Sequence, residues 1–355
     1  MKTIIMRMTH SRPRIKGIEY AARCIKDGKL VVFPTETVYG IGANALDREA
    51  CKEIFSVKGR KQDNPLIVHV SDMEMAKQVC SIPDEYEKGI RKIWPGPVTL
   101  ILKSKVSKTV TGGLDTVAVR MPSDRIARML IRKSAVPIAA PSANISEMPS
   151  STRGSHAIKY FNGKVAAIID AGPSKYGLES TVVDLKERRI LRPGSYPAEK
   201  LEKIFRFRFR IDSSLGKDGV ARSPGMKYRH YSPSTPLFMF GGELSRLPGM
   251  LGKYEKQCIF IGSDETCRRK AFRNVQKIGI GSCRQPREIA RNLFDALIRL
   301  DSLGVKFAVI EKFKEKESIG VAIMNRIKKA SGGRSFESGK ELALLLAQGA
   351  EKKLI

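Results

Sequence analysis

Short β-rich runs alternate with helical stretches along most of this chain, and this alternation limits the possible folds more than any other feature. In the first 211 residues, helical periodicity occurs over residues 18–26, 48–57, 84–93 and 125–132. The β-rich runs between them are LVVF, LIVHV, VTLIL, TVAVRM, VPIAA, AAIID and STVVDL. So many strands predict an α/β fold in which helices pack on one large mixed sheet.

A second series of strands and helices follows a break in the pattern. Between residues 212 and 235 the hydrophobic periodicity disappears and Gly, Ser and Pro accumulate, which is typical of a linker. The runs PLFMF, CIFIG, VQKIGI and FAVIE then predict strands, with helices over about residues 287–303 and 320–330. We therefore expect a first domain over residues 1–211 and a smaller domain with a parallel, doubly wound sheet over residues 236–355.

The run FRFRFRI, residues 205–211, alternates phenylalanine and arginine. This period of two predicts a strand with one dry and one wet face, at the edge of the sheet. A ribbon on which RNA bases stack is the alternative.

The chain is strongly basic, with 65 Lys and Arg against 36 Asp and Glu and a net charge of +29. Nucleotides, phosphates and RNA are therefore plausible partners, although a solvated basic surface explains the charge equally well. The six cysteines form no pair at the two-residue spacing that a zinc or redox motif requires. No signal-length apolar segment or membrane span is found, so we expect a cytoplasmic protein without a membrane partner.

Polar residues follow several predicted strands, where open sheets bind ligands. Thr35, Glu36 and Thr37 follow the first strand, and Gly40 and Gly42 allow close approach of backbone or ligand.

A second group of polar residues lies between a predicted helix and the strand LIVHV, and a third lies within that strand. Lys58, Arg60 and Lys61, followed by Asn64, suit a phosphate chain, although a solvated loop would look the same. His69 lies within LIVHV, where a hydrogen-bonded core residue is the usual interpretation.

Two further strand ends complete the set. Arg120 can grip a carboxylate or form an ion pair with an acid, and Ser142 and Asn144 follow a strand where turn capping competes with binding. The residues alone thus predict an anion-binding α/β domain, for which a nucleotide is the expected ligand. They suggest catalysis by orientation and charge neutralisation.

The motifs PTETVYG, KGRKQDNPLIVHV, WPGPVTLIL, VAVRMP, APSAN, ESTVVD and LRPG occur in this order. Together they resemble the YrdC-like domain of threonylcarbamoyl-adenylate synthases over about residues 15–211. The later motifs PGMKYRHYSP, ARNLFDALIRLD and GVAIMNRIKKAS resemble the long, two-domain form of that family. This resemblance implies a twisted mixed open sheet with a basic cleft, a linker, and a smaller Rossmann-like domain.

The resemblance also implies an activity. The family are nucleotidyltransferases that make threonylcarbamoyl-AMP and pyrophosphate from L-threonine, bicarbonate and ATP, with Mg²⁺ assisting. The product goes to a threonylcarbamoyl transferase complex, which modifies the adenosine next to the anticodon of tRNA. Direct binding of tRNA by the chain, its oligomeric state and the role of its second domain are left open.

The resemblance assigns site residues, with Lys58 and Arg60 as the catalytic pair and no protein metal ligands. The expected ATP contacts are Lys58, Arg60, Asn64, Thr116, Ser142, Asn144, Ser150, Arg192 and Tyr231. The expected threonine contacts are Thr37, His69, Arg120, Ser180 and the backbone at Ala140. In the family the linker segment that carries Tyr231 folds over the active site, so we expect it to act as a lid that excludes water.

Two other functions compete with this one. A basic YrdC-like protein that binds RNA without chemistry would explain the charge, but nonspecific RNA binding does not require Asn64, Ser142 or Asn144. A carbamoyl-transferring hydrogenase-maturation protein uses the same domain, but it carries CxxC pairs, which this sequence lacks.

Overall fold

The computed structural model describes residues 2–212, 230–254, 256–315 and 318–351. It forms two compact units, the first comprising Met1–Ser146 and Ser150–Tyr228, the second Glu147–Pro149 and Arg229–Ile355. The division after Tyr228 falls within the predicted linker. Linker residues 213–229 lie outside the described residues, and so does most of the predicted lid.

The described part of the first unit contains twelve strands, which join in one sheet. They are β1 (Ile4–Arg7), β2 (Val31–Phe33), β3 (Gly40–Asn44), β4 (Ile67–His69), β5 (Cys80–Ser81), β6 (Val98–Ser104), β7 (Thr116–Arg120), β8 (Ile138–Ala139), β9 (Ala167–Asp170), β10 (Thr181–Asp184), β11 (Arg189–Arg192) and β12 (Arg210–Ile211). The helices that accompany them are α1 (Ile15–Lys26), α2 (Arg48–Lys58), α3 (Met73–Val79), α4 (Asp84–Ile93), α5 (Lys108–Thr111), α6 (Arg125–Ser134), α7 (Gly154–Phe161) and α8 (Ala198–Phe205).

The sheet of the first unit is mixed, with the strand order β1-β9-β2-β3-β8-β4-β7-β6-β10-β11-β12 and β5 paired to β6. β4 and β7 run parallel, so that His69 pairs with Arg120 at their carboxyl ends. β6 and β10 also run parallel, whereas β8 is antiparallel to both of its neighbours. The large mixed sheet predicted from the sequence is therefore confirmed.

Helix α2 shows how local sequence defines the elements that carry the candidate site. Asp47 caps its first turn, because the carboxylate accepts hydrogen bonds from the amides of Glu49 and Ala50. Gly59 ends the helix in the left-handed conformation, with φ of +60°, which glycine adopts without steric strain. The helix thus stops directly after Lys58, and Arg60 begins the following loop.

The central strands β4 and β7 bury residues on both faces of the sheet. Val68 and Val119 belong to the main hydrophobic core. Their strand neighbours Ile67 and Ala118 belong to a separate small cluster, which is completed by Ile101, Val182 and Leu191. Because side chains alternate along a strand, His69 and Arg120 lie on the same face as this small cluster. That face therefore combines polar strand ends with an apolar floor, which is the small cluster around Ile67 and Ala118.

The second unit contains a five-stranded sheet within the described residues, and all of its strands are parallel. The strands, in the sheet order β15-β14-β16-β13-β17, are β13 (Leu237–Phe240), β14 (Cys258–Gly262), β15 (Lys277–Gly279), β16 (Phe307–Glu311) and β17 (Ser335–Phe336). Its helices are α9 (Leu247–Leu251), α10 (Asp264–Cys267), α11 (Pro286–Leu300), α12 (Ser318–Ala330) and α13 (Gly339–Glu351). The predicted smaller parallel sheet is confirmed.

The FRFRFRI run differs from its prediction. Helix α8 continues through Phe205, Arg206 ends it in the left-handed conformation, and only Arg210 and Ile211 form a strand. The rings of Phe205, Phe207 and Phe209 pack together, with Phe207 and Phe209 centroids 4.9 Å apart. Burial alternates over residues 205–210 as predicted, but Ile211 is exposed, and β12 is an edge strand. The prediction of a strand over residues 205–209 was wrong, because the aromatic cluster forms around a helix end and a turn.

Of the helices in the described residues, none has the length and apolar character required to cross a bilayer.

Candidate active site

Arg120 lies at the end of β7 and is almost completely buried. Its Nη1 donates a hydrogen bond to Thr37 Oγ1 at 2.8 Å, and its Nε donates to the Gly96 carbonyl at 3.3 Å. Its Nη2 lies 2.7 Å from Glu36 Oε1, in an ion pair between two side chains that are each about 5% exposed or less. The guanidinium is thus held from three directions, as a rigid donor for an anion.

Glu36 connects this arginine to the next helix. Its carboxylate accepts hydrogen bonds from the amides of Ser123 and Asp124, at 3.0 and 3.3 Å. Burial opposes ionisation, but the attraction of Arg120 and these hydrogen bonds outweigh it and lower the pKa of Glu36. Glu36 therefore stays ionised and orients the Arg120 guanidinium.

His69 is buried at the end of β4, opposite Arg120 in the strand register. Burial, together with the positive charge of Arg120, lowers the pKa of His69 to about 3, so the imidazole is neutral at physiological pH. The ring meets Phe33 edge to face at 6.0 Å. A neutral imidazole can both donate and accept a hydrogen bond.

Ser180 and Arg192 form a second buried group, at the start of β10 and the end of β11. Arg192 donates to the Ser180 carbonyl through Nε at 3.2 Å and through Nη2 at 3.0 Å, and Nη2 also reaches Ser180 Oγ at 3.1 Å. The Ser180 hydroxyl lies 2.7 Å from Thr99 Oγ1. A residue expected to bind ATP and one expected to bind threonine are therefore in direct contact.

Lys58 lies beneath the loop that carries Ser142 and Asn144, and it is 2% exposed. Its Nζ donates to the Ser142 carbonyl at 2.6 Å and to the Asn144 carbonyl. The Ser142 hydroxyl in turn donates to Asn144 Oδ1. Burial, with the charge of Arg60, lowers the pKa of Lys58 well below its ordinary value. The signature residues are thus assembled, and Lys58 directly supports the backbone of the loop.

Arg60 and Asn64 lie in the loop between α2 and β4. Arg60 Nε donates to the Asn64 carbonyl at 3.2 Å, and its Nη2 donates to the Pro65 carbonyl at 3.0 Å. These bonds curl the loop around the guanidinium and fix its position.

The remaining predicted residues have other neighbours. Thr116 begins β7 and pairs with Lys103 on β6, while Ser150 donates to the buried Glu179 carboxylate at 2.6 Å. The backbone at Ala140 donates to the Ile67 carbonyl at 2.8 Å. Tyr231 lies in the second unit. There its ring centroid is 5.1 Å from that of Phe294, and the guanidinium of Arg326 is 5.6 Å from the ring.

Packing within the sheet, and not ligand binding, explains why residue 42 is a glycine. A Cβ atom there would lie 2.6 Å from Ile138 and 2.7 Å from the Phe33 ring. The close approach that this glycine allows is thus to neighbouring side chains of the sheet.

Several buried polar atoms in the described residues lack a hydrogen-bond partner, and three of them belong to predicted ligand contacts. They are Asn64 Oδ1, His69 Nδ1 and Arg120 Nη2, the last being near Glu36 without hydrogen-bond geometry. Buried polar atoms are normally satisfied, because leaving one unpaired costs about 1–3 kcal/mol. Unused capacity at these residues is the feature expected of a binding site.

Comparisons with known proteins identify the family. A family model described as telomere recombination matches residues 23–194, and a model described as threonylcarbamoyl-AMP synthase, C-terminal domain, matches residues 196–332. A threonylcarbamoyl-AMP synthase of Pyrococcus abyssi is 46% identical over 89% of this chain and 94% of its own. The chain belongs to the threonylcarbamoyl-AMP synthase family.

Further relatives agree with this family membership. A threonylcarbamoyl-AMP synthase of Bacillus subtilis is 39% identical over 89% of this chain and 93% of its own length. The crystal structure of P. abyssi Sua5 complexed with L-threonine matches with a TM-score of 0.86 and 42% identity. That match covers 95% of this chain and all of the crystallised one. The threonylcarbamoyl-AMP synthase family thus accounts for both units of the chain.

Some contributors to the site received no role from the sequence. Thr35 and Glu36 are recognisable in the sequence as polar residues after a strand, but only the fold brings Glu36 to Arg120. Thr99 and Glu179 were missed. Thr99 interrupts the apolar run of β6 on the face that carries the site, and this polar residue in a buried strand was the available signal.

Proposed function

We propose that this chain forms threonylcarbamoyl-AMP and pyrophosphate from L-threonine, bicarbonate and ATP, as a nucleotidyltransferase. The proposal rests mainly on the buried, unmatched atoms of Asn64 and His69 and on the donors that the Glu36 ion pair leaves on Arg120. Each belongs to a residue that the family resemblance assigns to a substrate, and a substrate would supply the missing hydrogen bonds.

Threonine would be held first through its carboxylate. Arg120 carries spare donors on its guanidinium, and a carboxylate matches this fork with two parallel hydrogen bonds. His69 is neutral and lies beside Arg120 in the strand register. It can therefore accept a hydrogen bond from the substrate without repelling the substrate's ammonium group. Ser180 and the backbone at Ala140 are the further proposed threonine contacts.

ATP would lie against the apolar floor and the signature residues. The cluster around Ile67 and Ala118 offers a dry surface for the nucleoside, while Arg60, Asn64, Ser142, Asn144 and Arg192 supply polar groups. Further proposed contacts of ATP are Thr116, Ser150 and Tyr231. The negative charge of the phosphates would favour the protonated form of Lys58 and oppose the lowering of its pKa by burial. Lys58 would then contact the phosphates through its third N–H, because two are directed to the Ser142 and Asn144 carbonyls.

The chemical step follows from charge. The amine of threonine combines with bicarbonate and releases water to give a carbamate. A carbamate oxygen then attacks the α-phosphorus of ATP, and the bond to the pyrophosphate oxygen breaks. Negative charge collects on the phosphoryl oxygens, and Lys58, Arg60 and Arg192 are the cations proposed to stabilise it. The burial of Lys58 and Arg192 removes competing water, which would hydrolyse the carbamate.

Magnesium would arrive with the nucleotide. Within the described ranges, no cluster of three or more His, Cys, Asp or Glu side chains is placed to hold a metal ion. Mg²⁺ would be held mainly by phosphate oxygens, where it would neutralise charge on the leaving pyrophosphate.

The product would be passed to a threonylcarbamoyl transferase complex for modification of the adenosine next to the anticodon of tRNA. We propose the cytoplasm as the compartment in which this occurs.

The test is pyrophosphate release by the full chain with ATP, Mg²⁺, L-threonine and labelled bicarbonate, omitting each substrate in turn. We expect release only with all substrates, and a labelled product that contains both threonine and AMP. Retention of tRNA on nitrocellulose, measured at rising salt, addresses the competing function. Strong tRNA retention without threonine-dependent pyrophosphate release would favour the noncatalytic RNA-binding protein.

A further inference from the structure

The hydroxyl of Thr35 has its proton committed to the backbone. Thr35 Oγ1 lies 2.6 Å from the carbonyl oxygen of Val38. A carbonyl oxygen only accepts hydrogen bonds, so the hydroxyl of Thr35 must donate there. The amides of Thr37 and Val38 also point to Thr35 Oγ1, at 3.2 and 3.3 Å, and these two longer contacts share one of its two lone pairs. Thr35 therefore presents its oxygen to its neighbours as an acceptor.

This commitment decides the direction of the next hydrogen bond. The hydroxyl oxygens of Thr35 and Thr37 are 2.8 Å apart, and each hydroxyl has a single proton. Since the proton of Thr35 points to Val38, the hydroxyl of Thr37 must be the donor to Thr35. Thr37 is fully buried, so bulk water does not compete for this proton.

The same oxygen of Thr37 accepts a hydrogen bond from Arg120 Nη1 at 2.8 Å. Its proton is used and one of its two lone pairs is occupied. What Thr37 can still offer a ligand is its second lone pair, which accepts a hydrogen bond and cannot donate one.

We propose that Thr35 is a positioning residue that fixes Thr37 as a hydrogen-bond acceptor for the α-ammonium group of L-threonine. This inference rests on the proposed function. A carboxylate has no proton to donate, so it is excluded at Thr37 Oγ1 and is directed to the adjacent Arg120. The α-ammonium is one carbon away from that carboxylate, and it carries donors only.

The test compares two substitutions in the full chain. Thr35→Val has nearly the same shape but lacks the acceptor, so the proton of Thr37 becomes free to turn towards the ligand. Thr35→Ser keeps the hydroxyl and is the matched control. We expect Thr35→Val to raise the KM for L-threonine about 10- to 100-fold, the range for a lost hydrogen bond to a charged group. We expect Thr35→Ser to stay within about 3-fold of the wild type, with the KM for ATP unchanged in both.

Two substrate analogues separate proton direction from pocket shape. L-2-Aminobutanoate lacks the side-chain hydroxyl, and 3-hydroxybutanoate lacks the amino group. In calorimetric titrations, Thr35→Val should weaken 2-aminobutanoate as much as it weakens threonine, and it should leave 3-hydroxybutanoate unchanged. Equal weakening of both analogues would overturn the inference, because it would show that Thr35 only shapes the pocket.

Two further results distinguish failure of the proposed function from failure of this inference. A wild-type protein that releases no pyrophosphate with threonine overturns the proposed function, whereas a Thr35→Val variant with the wild-type KM overturns this inference alone. If Thr35→Val fails to fold in a urea titration, Thr35→Ala replaces it in the same analogue comparison. The alanine variant also lacks the acceptor, so it must discriminate between the two analogues in the same way.

Discussion

Each of the two sheets buries a glutamate beside the ends of its strands, and the partners of these glutamates differ. In the first unit Glu36 pairs with the guanidinium of Arg120 at 2.7 Å. In the second unit Glu311, at the end of β16, accepts hydrogen bonds from the amide of Ser263 at 2.7 Å, the Ser263 hydroxyl and the hydroxyl of Thr266. Both carboxylates are mostly buried, at 5% and 7% exposure.

The difference lies in the hydrogen-bonding capacity that remains. Ser263 and Thr266 are neutral, and each gives its hydroxyl proton within the network around Glu311, which therefore holds together as a structural unit. Arg120 has five N–H groups, and its contacts with Thr37, Gly96 and Glu36 do not use all of them, so N–H donors remain for a ligand. A buried charge pair with spare donors is costly as structure alone, so it indicates a ligand that completes it.

Replacing the arginine should give the largest effect. In Arg120→Met the fork for the carboxylate is lost and Glu36 is left as an unpaired buried charge. We expect kcat/KM for L-threonine to fall by about 1,000-fold or more. We also expect the free energy of unfolding to fall by about 3–5 kcal/mol. Pyrophosphate release and urea denaturation measure the two quantities.

The control for this variant removes both charges. Glu36→Gln combined with Arg120→Met should recover most of the lost stability, since removing both partners of a buried pair is often nearly neutral. Activity should stay low, because the fork is still absent. Recovery of activity together with stability would mean that Arg120 is only structural.

A smaller loss is expected at Lys58, on the nucleotide side of the same sheet. Lys58→Met keeps much of the side-chain volume but leaves the Ser142 and Asn144 carbonyls without the Nζ donor. We expect kcat/KM for ATP to fall about 30- to 100-fold, corresponding to 2–3 kcal/mol, while the KM for threonine changes less. Steady-state kinetics with each substrate varied in turn provide the measurement. Equal changes in both KM values would argue against a local role at the 142–144 loop.

Much of the first sheet was accessible from the sequence, because buried strands such as β6 and β7 are apolar runs bounded by turn residues. The Lys58, Ser142 and Asn144 group was accessible only through the family resemblance. Their contact joins the end of a helix to a loop more than 80 residues away, and no local pattern encodes such a contact.

The FRFRFRI run shows the opposite failure. Its period of two indicates the burial of the three phenylalanines but not the exposure of Ile211, and the alternation is produced here by a helix end and a turn. Phe205 packs against Tyr86 of α4 at 6.4 Å as well as against Phe209. Tertiary contacts of this kind decide between strand and turn where the local pattern fits both.

A third carboxylate, Asp124, tests whether the guanidinium is what keeps Glu36 ionised. Asp124 caps α6 by accepting a hydrogen bond from the Ala127 amide, and its titratable neighbours are His10 at 3.2 Å and Glu36. Without a guanidinium, burial dominates and raises the pKa of Asp124 to about 6, although His10 opposes the shift.

The sign of its pH dependence follows from this raised pKa. Between about pH 4 and 6 the folded protein keeps the Asp124 proton that the unfolded chain has lost, so this contribution to stability disappears as the pH rises. Asp124→Asn keeps the helix cap and cannot ionise. Relative to wild type, it should gain about 2 kcal/mol of unfolding free energy between pH 4 and pH 7. Urea titrations at several pH values, repeated in a His10→Gln background, measure this gain. A difference that is independent of pH would contradict the raised pKa.

The smallest effect on catalysis is expected at Glu311, the counterpart of Glu36 in the second sheet. Glu311→Gln loses an acceptor oxygen towards Ser263 or Thr266, so we expect the free energy of unfolding to fall by about 1–3 kcal/mol. The kcat and both KM values should remain within about 2-fold of the wild type, because the network contains no donor reserved for a ligand. A loss of kcat as large as that of Lys58→Met, in a variant that unfolds at the wild-type urea concentration, would show that the second unit contributes to the chemistry. The distinction between a carboxylate that holds structure and one that orients a substrate-binding arginine would then no longer separate the two sheets.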